Sequence, residues 1–532
     1  MTIHTATEFD DFIKGTDESD AINAKAGEDT VLGKAGDDRI NGGDDDDDLS
    51  GGQGDDVLIG ARGNDLMEGN GGDDRMIWNN GDGSDIMNGG NGFDVAEVNG
   101  SDSDGDVFSI AVGGDRRVEF ARTNFGPFTL DIGTTEALEV NGRGGDDVIT
   151  AGEGLGDVIQ LMLSGNAGDD HITGSDGADM INGGQGDDTL IGARGNDHIM
   201  GRAGDDLMIW NNGDGSDLME GGGGYDTVQV NGATEAGDAF TIGIGEDGRI
   251  DFARTNLGLF ALDIGSTEVL QVNAGGGDDV ITAGEGLAGE ISLQLFGNAG
   301  DDLIIGSDGE DMMSGGQGND TLIGARGNDH IMGRAGDDLM IWNNGDGSDV
   351  MDGGSGYDTV RVNGSDSDGD VFEIGIGEDS RIDFARTNLG PFTLDIGSSE
   401  VLQVKGGGGD DVITASDGLA GEILLDLAGN AGNDVILGGD GGDRISGGGG
   451  NDAVTGGAGA DVFVYRAGED LITDFEQGAD LVELGAALLG TESLQDSMAQ
   501  VGDDVVLSLT SGSLTFADQT LADFTEDDFI FV

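Results

Sequence analysis

The side chains of this chain best placed to do chemistry are aspartates that return every nine positions. From Gly51 three units follow in succession, GGQGDDVLI, GARGNDLME and GNGGDDRMI, and units of this form, G-G-x-G-x-D-x-U-x with U large and apolar, recur twenty-seven times. Glycines at the first, second and fourth places permit left-handed backbone angles, so the chain can turn tightly and point its carbonyls inward. The sixth place sets a carboxylate at the mouth of that turn. A donor set of carbonyl and carboxylate oxygens, without nitrogen or sulfur, suits calcium rather than zinc or copper.

The elements that must hold these aspartates follow from the same spacing. Six residues make a turn and three a strand. The eighth place supplies a core, with Val31, Ile40, Leu49, Leu58, Met67 and Met76 at nine-residue intervals. One unit cannot bury its own apolar side, so neighbouring units must stack into a solenoid. Calcium held between stacked turns would fasten coil to coil.

On these motifs the chain resembles the repeats-in-toxin (RTX, hemolysin-type) calcium-binding repeat proteins, which bacteria export by type I secretion. The resemblance implies an all-β fold: a right-handed parallel β-roll or β-helix solenoid of calcium-binding nonapeptides with a C-terminal β cap. It implies multiple calcium ions and, as side-chain ligands, the sixth-place aspartates. These are Asp20, Asp29, Asp38, Asp47, Asp56, Asp65, Asp74 and Asp94, then Asp147, Asp170, Asp179, Asp188, Asp197, Asp206 and Asp226. They continue with Asp279, Asp302, Asp311, Asp320, Asp329, Asp338 and Asp358, and end with Asp411, Asp434, Asp443, Asp452 and Asp461. The alternative is a metal-free solenoid in which Gly-Asp merely turns well.

Composition points the same way. A formal net charge of -86 on 532 residues makes a compact metal-free state repel itself. About twenty calcium ions would add roughly forty positive charges, near half of that excess. With 22 Lys and Arg against 108 Asp and Glu, nucleic acid is excluded as a partner. Such acidity also fits a disordered chain, and the regular eighth-place apolar residues oppose that only for the calcium-loaded form. No cysteine is present, so stability must come from stacking and metal. The first twenty residues lack the basic and apolar regions of a signal peptide, and no apolar run is long enough for a transmembrane segment. The RTX resemblance instead implies an uncleaved C-terminal export signal, with the type I secretion apparatus as partner and a secreted, extracellular or cell-surface location.

A second period of 132 residues separates Trp78, Trp210 and Trp342. The implied organisation is β-roll over 1–97, 142–229, 274–361 and 406–464, and wider β-helix coils over the glycine-poorer 98–141, 230–273 and 362–405. A cap with a type I secretion signal takes 465–532, where the segment from Asp461 resembles the end of serralysin-type proteases. A small sandwich inserted in each module is the competing reading of the glycine-poorer stretches. The eleven-residue unit WNNGDGSD(I/L/V)M(N/E/D) is a widened nonapeptide, with Asp85, Asp217 and Asp349 as less secure ligands.

Three features leave room for a further role. The tryptophans, each followed by two asparagines, either form a carbohydrate platform or pack over their neighbours. Arg122, Arg254 and Arg386 of the FARTN motifs either hold a uronic-acid carboxylate or pair with nearby aspartates, with Asn124, Asn256 and Asn388 stacking. Asp44 to Asp48 form either a calcium coil or a solvated loop. Catalysis has little support: HExxH and GxSxG are absent, and His4, His171, His198 and His330 form no ligand set. The reading is a non-enzymatic, secreted calcium-binding structural or surface solenoid, capable of self-assembly, that folds in extracellular calcium. The alternative is a calcium-dependent adhesin or lectin-like array for surface or matrix polysaccharide; a polysaccharide lyase or epimerase comes last.

Overall fold

Alternate nonapeptides fall on alternate sheets, because eighteen residues carry the chain once around. In the computed structural model, which describes residues 2–378, 380–490 and 492–532, strand Val57–Arg62 pairs in parallel with Arg39–Asp44 before it and Arg75–Asn79 after it. Leu66–Gly71 pairs likewise with Asp48–Gln53 and Ile86–Asn91 on the other sheet. The architecture is an all-β parallel solenoid with almost no helix; Leu494–Ser497 is a single α-turn. Two compact units divide it, one of Met1–Gly232 with Ile244–Gln271, the other of Ala233–Gly243 with Val272–Val532.

In both units the period-two alternation of short strands sets the eighth-place side chain inward and the seventh and ninth outward. Val31, Ile40, Leu49, Leu58, Met67 and Met76 are wholly buried in the first unit, as are Ile304, Leu322, Ile331 and Met340 in the second. Each buried row stacks a residue on its equivalent one coil on, as Ile40 does on Leu58 and Leu58 on Met76. The fourth-place glycine shows why the turn repeats: Gly54 has φ +120°, and a Cβ there would lie 2.7 Å from the backbone of Gly36 in the preceding coil.

The glycine-poorer stretches interrupt one sheet only. In the first unit, Val107–Val112, Val118–Arg122 and Phe128–Gly133 form an antiparallel meander. Phe128–Gly133 pairs in parallel with Ile86–Asn91, and Val107–Val112 with Val148–Ala151. On the opposite sheet Val95–Asn99 pairs directly with Ala137–Asn141. The second unit repeats this with Val371–Ile376, Ile382–Arg386 and Phe392–Gly397. A meander thus stands where an ordinary coil would place one strand.

The last coil is covered by a β cap. Gly468–Ile472 pairs with Gly512–Phe516, which ends a meander begun by Met498–Val501 and Asp504–Leu509. Phe475, Phe516, Phe524 and Phe529 cluster there, with ring centroids 4.7–6.4 Å apart, closing an apolar end that a solenoid cannot leave open.

Candidate metal centre

Stacking brings the sixth-place aspartates into rows along the turns. Each uses Oδ1 to accept the backbone N–H of its counterpart one coil earlier. Asp20 N–H donates to Asp38 at 2.7 Å, Asp38 to Asp56 at 2.7 Å, Asp56 to Asp74 at 2.8 Å and Asp74 to Asp94 at 2.8 Å. The alternate turns carry a second row, Asp29 to Asp47, Asp65 and Asp85. Equivalent rows run through Asp147, Asp170, Asp188, Asp206 and Asp226, and in the second unit through Asp279, Asp302, Asp320, Asp338 and Asp358. Every sixth-place aspartate is at most 4% exposed.

The second oxygen is the informative one. Oδ2 is buried and unpartnered at Asp29, Asp38, Asp47, Asp56, Asp65, Asp74, Asp85 and Asp94, and at Asp147, Asp170, Asp188, Asp197, Asp206 and Asp226. The same holds at Asp279, Asp302, Asp320, Asp329, Asp338 and Asp358, and at Asp411, Asp434, Asp443, Asp452 and Asp461. Leaving one such acceptor unsatisfied is costly, and leaving a charged row so is costlier. The oxygens share one kind of cradle. A Cβ on first-place Gly33 would lie 2.4 Å from Asp38 Oδ2 and 2.4 Å from the Gly51 carbonyl oxygen one coil on. Only glycine leaves that space open. Among the described residues no three His, Cys, Asp or Glu side chains converge, so any ion held there takes one carboxylate per turn and otherwise carbonyls, an all-oxygen set that fits calcium.

Burial raises these carboxyls above their ordinary range, and neighbouring carboxylates raise them further against the pull of the ladder N–H. Asp56, Asp65 and Asp188 are pushed up to about 7, Asp197 to about 8 and Asp329 to about 9. A cation in the cradle would reverse that bias.

The model of the RTX calcium-binding nonapeptide repeat matches residues 5–40, 24–58, 41–76, 80–97, 139–155, 162–190, 182–209, 212–231, 271–286, 294–322, 314–341, 344–366, 403–418, 428–463 and 437–472, more than half of the chain. The chain belongs to this RTX repeat family. Its repeats bind calcium ions, in many copies. No curated protein matches. Among solved structures, the extracellular lipase LipA from Serratia marcescens is 20% identical over 48% of this chain and 45% of the lipase, with a TM-score of 0.21. The AlgE6R3 subunit of the Azotobacter vinelandii mannuronan C5-epimerase is 25% identical over 23% of this chain and 78% of that subunit, with a TM-score of 0.19. The chain thus spans under half of the lipase, and neither likeness carries weight at these scores.

Not every RTX turn is alike. Asp20, Asp179 and Asp311, read as ligands from the sequence, turn Oδ2 to their own loop. Asp179 accepts Ser175 N–H at 2.5 Å and its hydroxyl at 2.9 Å. Asp311 accepts Ser307 N–H at 2.5 Å, and Asp20 accepts Thr16 N–H at 2.6 Å and its hydroxyl at 3.0 Å. The cause is the second-place residue. Before the nonapeptide aspartates with unpartnered Oδ2 that residue is left-handed, whether glycine as in Gly43 or not, as in Lys34, Ala61, Asn70 and Arg202. Thr16, Ser175 and Ser307 are not left-handed, and their N–H points at the carboxylate. Asp29 and Asp279 depart differently, because Ala24 and Ala274 fill their first places.

Asp47 keeps its RTX place within Asp44 to Asp48: it accepts from Asp29 and donates to Asp65, both at 2.8 Å, while Asp45 takes the glycine-like φ of +79°. The coil geometry therefore extends through the five-aspartate run.

The tryptophan platform is overturned. Trp78, Trp210 and Trp342 are wholly buried, each donating Nε1–H to a carbonyl 2.9 Å away. Trp78 stacks on Phe128 at 3.7 Å, beneath the Arg122 guanidinium, and Trp342 on Phe392 at 3.8 Å, beneath Arg386. Arg122 is itself buried against Asp106 at 3.0 Å and Asn80 at 2.8 Å, and Arg386 against Asp370 at 3.2 Å and Asn344 at 2.7 Å. Pairing with aspartate is thus the arginines' role. Asparagine stacking fails, since Asn124 bridges Val107 N–H and the Gly105 carbonyl within its own hairpin, as Asn388 does with Val371 and Gly369.

Asp106 and Asp370 escaped the sequence reading although they belong to the rows, donating N–H to Asp147 and Asp411 at 2.6 Å. At these two rungs an arginine pairs with Oδ1, and Oδ2 accepts the N–H of Ser101 or Ser365 at 2.7 Å. Also missed were Glu136, Glu268 and Glu400, which accept the final N–H from Asp94, Asp226 and Asp358. A further ladder was missed on the fifth place, where Asp37, Asp55 and Asp73 accept N–H groups from the following coil. Its signal was present in the recurring Asp-Asp and Asn-Asp pairs.

Proposed function

We propose that this chain is a secreted structural or cell-surface solenoid, without catalytic activity, that leaves the cell by type I export and folds on extracellular calcium. The observation that carries this reading is the row of buried, unpartnered Oδ2 atoms facing glycine cradles; in the widened coils Asp106 and Asp370 have both oxygens answered, Oδ1 by Arg122 and Arg386 and Oδ2 by the N–H groups of Ser101 and Ser365. The ligands are the sixth-place aspartates with an unpartnered Oδ2 above a first-place glycine, joined by Asp85 and by carbonyls of those glycines. Asp20, Asp29, Asp179, Asp279 and Asp311 stand outside that set. Calcium supplies charge neutralisation, and the chain's residues supply the rest: the N–H ladder fixes each carboxylate, and the eighth-place side chains exclude water from the cradle's inner side. Binding energy then becomes folding energy. The C-terminal segment, with its resemblance to the serralysin end, both caps the last coil and carries the export signal.

The test is a calcium titration of chelator-treated protein, followed by far-UV circular dichroism and sedimentation, with magnesium as control. A cooperative gain of β structure with compaction, specific to calcium, is expected. Full β content in chelator would show that the turns stand without metal and sink the reading.

A further inference from the structure

The second unit carries a groove of about 620 Å³, within the size range of small-ligand sites, lined by Asn343, Asn344, Asn363, Asp366, Lys405 and Asn430. We propose that it binds a hexuronate residue of an acidic polysaccharide. The inference rests on the solenoid reading only in that the coils must be formed.

The corresponding surface of the first unit shows what has changed. There an amide ladder runs through three asparagines: Asn99 donates to Asn79 at 3.3 Å, and Asn141 to Asn99 at 3.2 Å. Arg143 reaches across to Asp102 at 2.9 Å and neutralises it. In the second unit Asn363 still donates to Asn343, at 3.0 Å, but its in-register neighbour is now Lys405, where the first unit has Asn141. Gly407 stands where the first unit has Arg143, so no guanidinium covers Asp366. Among the described residues neither Lys405 nor Asp366 forms an ion pair, whereas Arg143, Arg381, Arg386 and Arg444 each hold a carboxylate.

The lining specifies the ligand. Carboxamides donate and accept at one group, which matches the hydroxyls of a sugar ring. The lone half-buried ammonium is a point charge for one carboxylate. Asp366 on the rim accepts hydrogen bonds from hydroxyls. One carboxylate per ring, surrounded by hydroxyls, satisfies all three conditions.

Isothermal titration of the calcium-saturated full chain with a glucuronate trisaccharide, and with cellotriose as neutral control, tests this. Binding of the uronate, at least tenfold weaker for cellotriose and for Lys405→Asn but retained in Lys405→Arg, is expected. Lys405→Asn restores the residue of the first unit, so the fold is preserved. Circular dichroism in the same buffer separates the two readings. A folded chain that ignores the uronate, binds cellotriose equally or binds equally well as Lys405→Asn overturns the groove and leaves the calcium reading standing. A chain that stays unfolded in calcium overturns both.

Discussion

Replacing Ser175 with glycine should create a calcium site. Asp179 already lies against the first-place glycine, with its Oδ2 2.7 Å and the Gly192 carbonyl oxygen 2.5 Å from the Cβ position of Gly174. Only the serine N–H and hydroxyl, at 2.5 and 2.9 Å, occupy the oxygen that other turns leave open. Glycine removes the hydroxyl and lets the backbone adopt the left-handed angle found at Gly184 and Ala193 in neighbouring units. With calcium limiting, so that the coils are folded but the new site is empty, losing one hydrogen bond to a charged group should weaken the local fold by about 1.5–3 kcal/mol. With free calcium at a hundred times its dissociation constant, the new site returns about 2.7 kcal/mol. The difference between excess and limiting calcium thus widens by about two decades in local opening. Amide exchange in Met180–Gln185 and His198–Ala203 reads this directly, and coils farther off should not respond, because repeat stability is local. Stoichiometry by equilibrium dialysis should rise by one ion, and by two in Ser175→Gly/Ser307→Gly. A folded double variant that binds no more calcium than the parent would refute the argument that the second-place residue selects the occupied turns.

Three further outcomes follow. Because burial raises Asp56, Asp65 and Asp188 to about 7 and Asp197 to about 8, the folded metal-free chain holds more protons than the unfolded one between the ordinary carboxyl range and pH 7–8. Its stability should therefore rise as pH falls from 8 toward 4 and be lost on raising pH again, while the calcium midpoint moves to higher concentration in acid; dichroism of calcium-stripped protein at stepped pH reads both. Gly51→Ala sets a methyl 2.3 Å from Asp56 Oδ2 and should delete one ion, costing about 2.7 kcal/mol locally at a hundredfold excess of calcium; unchanged stoichiometry by dialysis would count against the cradle. Arg386→Met strands buried Asp370 and should cost about 3–5 kcal/mol. That loss should be equal with and without calcium, as measured by exchange in Val371–Ile376 and Ile382–Arg386.

The solenoid and its aspartate rows were legible because both obey the nine-residue step: an apolar eighth place and a sixth-place aspartate need only the period to be placed. What escaped depends on contacts that no local period encodes. Trp78 meets Phe128 and Arg122 only because the meander folds its third strand back beside the widened turn. Asn80 and Arg122, 42 residues apart, share a hydrogen bond for the same reason. The serine turns were visible as letters, Gly-Ser before Asp179 and Asp311, yet their meaning lies in a backbone angle. At Ser175 and Ser307 the backbone lies outside the left-handed region that glycine, lysine and alanine take at the same place elsewhere, and the carboxylate is answered from within its own loop by the serine N–H and hydroxyl.

The guanidinium-filled rungs have a consequence for how such a chain comes apart. A chelator can extract an ion, but not Arg122 or Arg386. If calcium folds the coils as proposed, each meander, with its buried tryptophan, phenylalanine and arginine-aspartate pair, should be a fixed knot that metal loss does not untie, and the coils on either side should act as separate fuses. Depletion should let them go in blocks, from which refolding restarts at surviving templates instead of at a bare chain end.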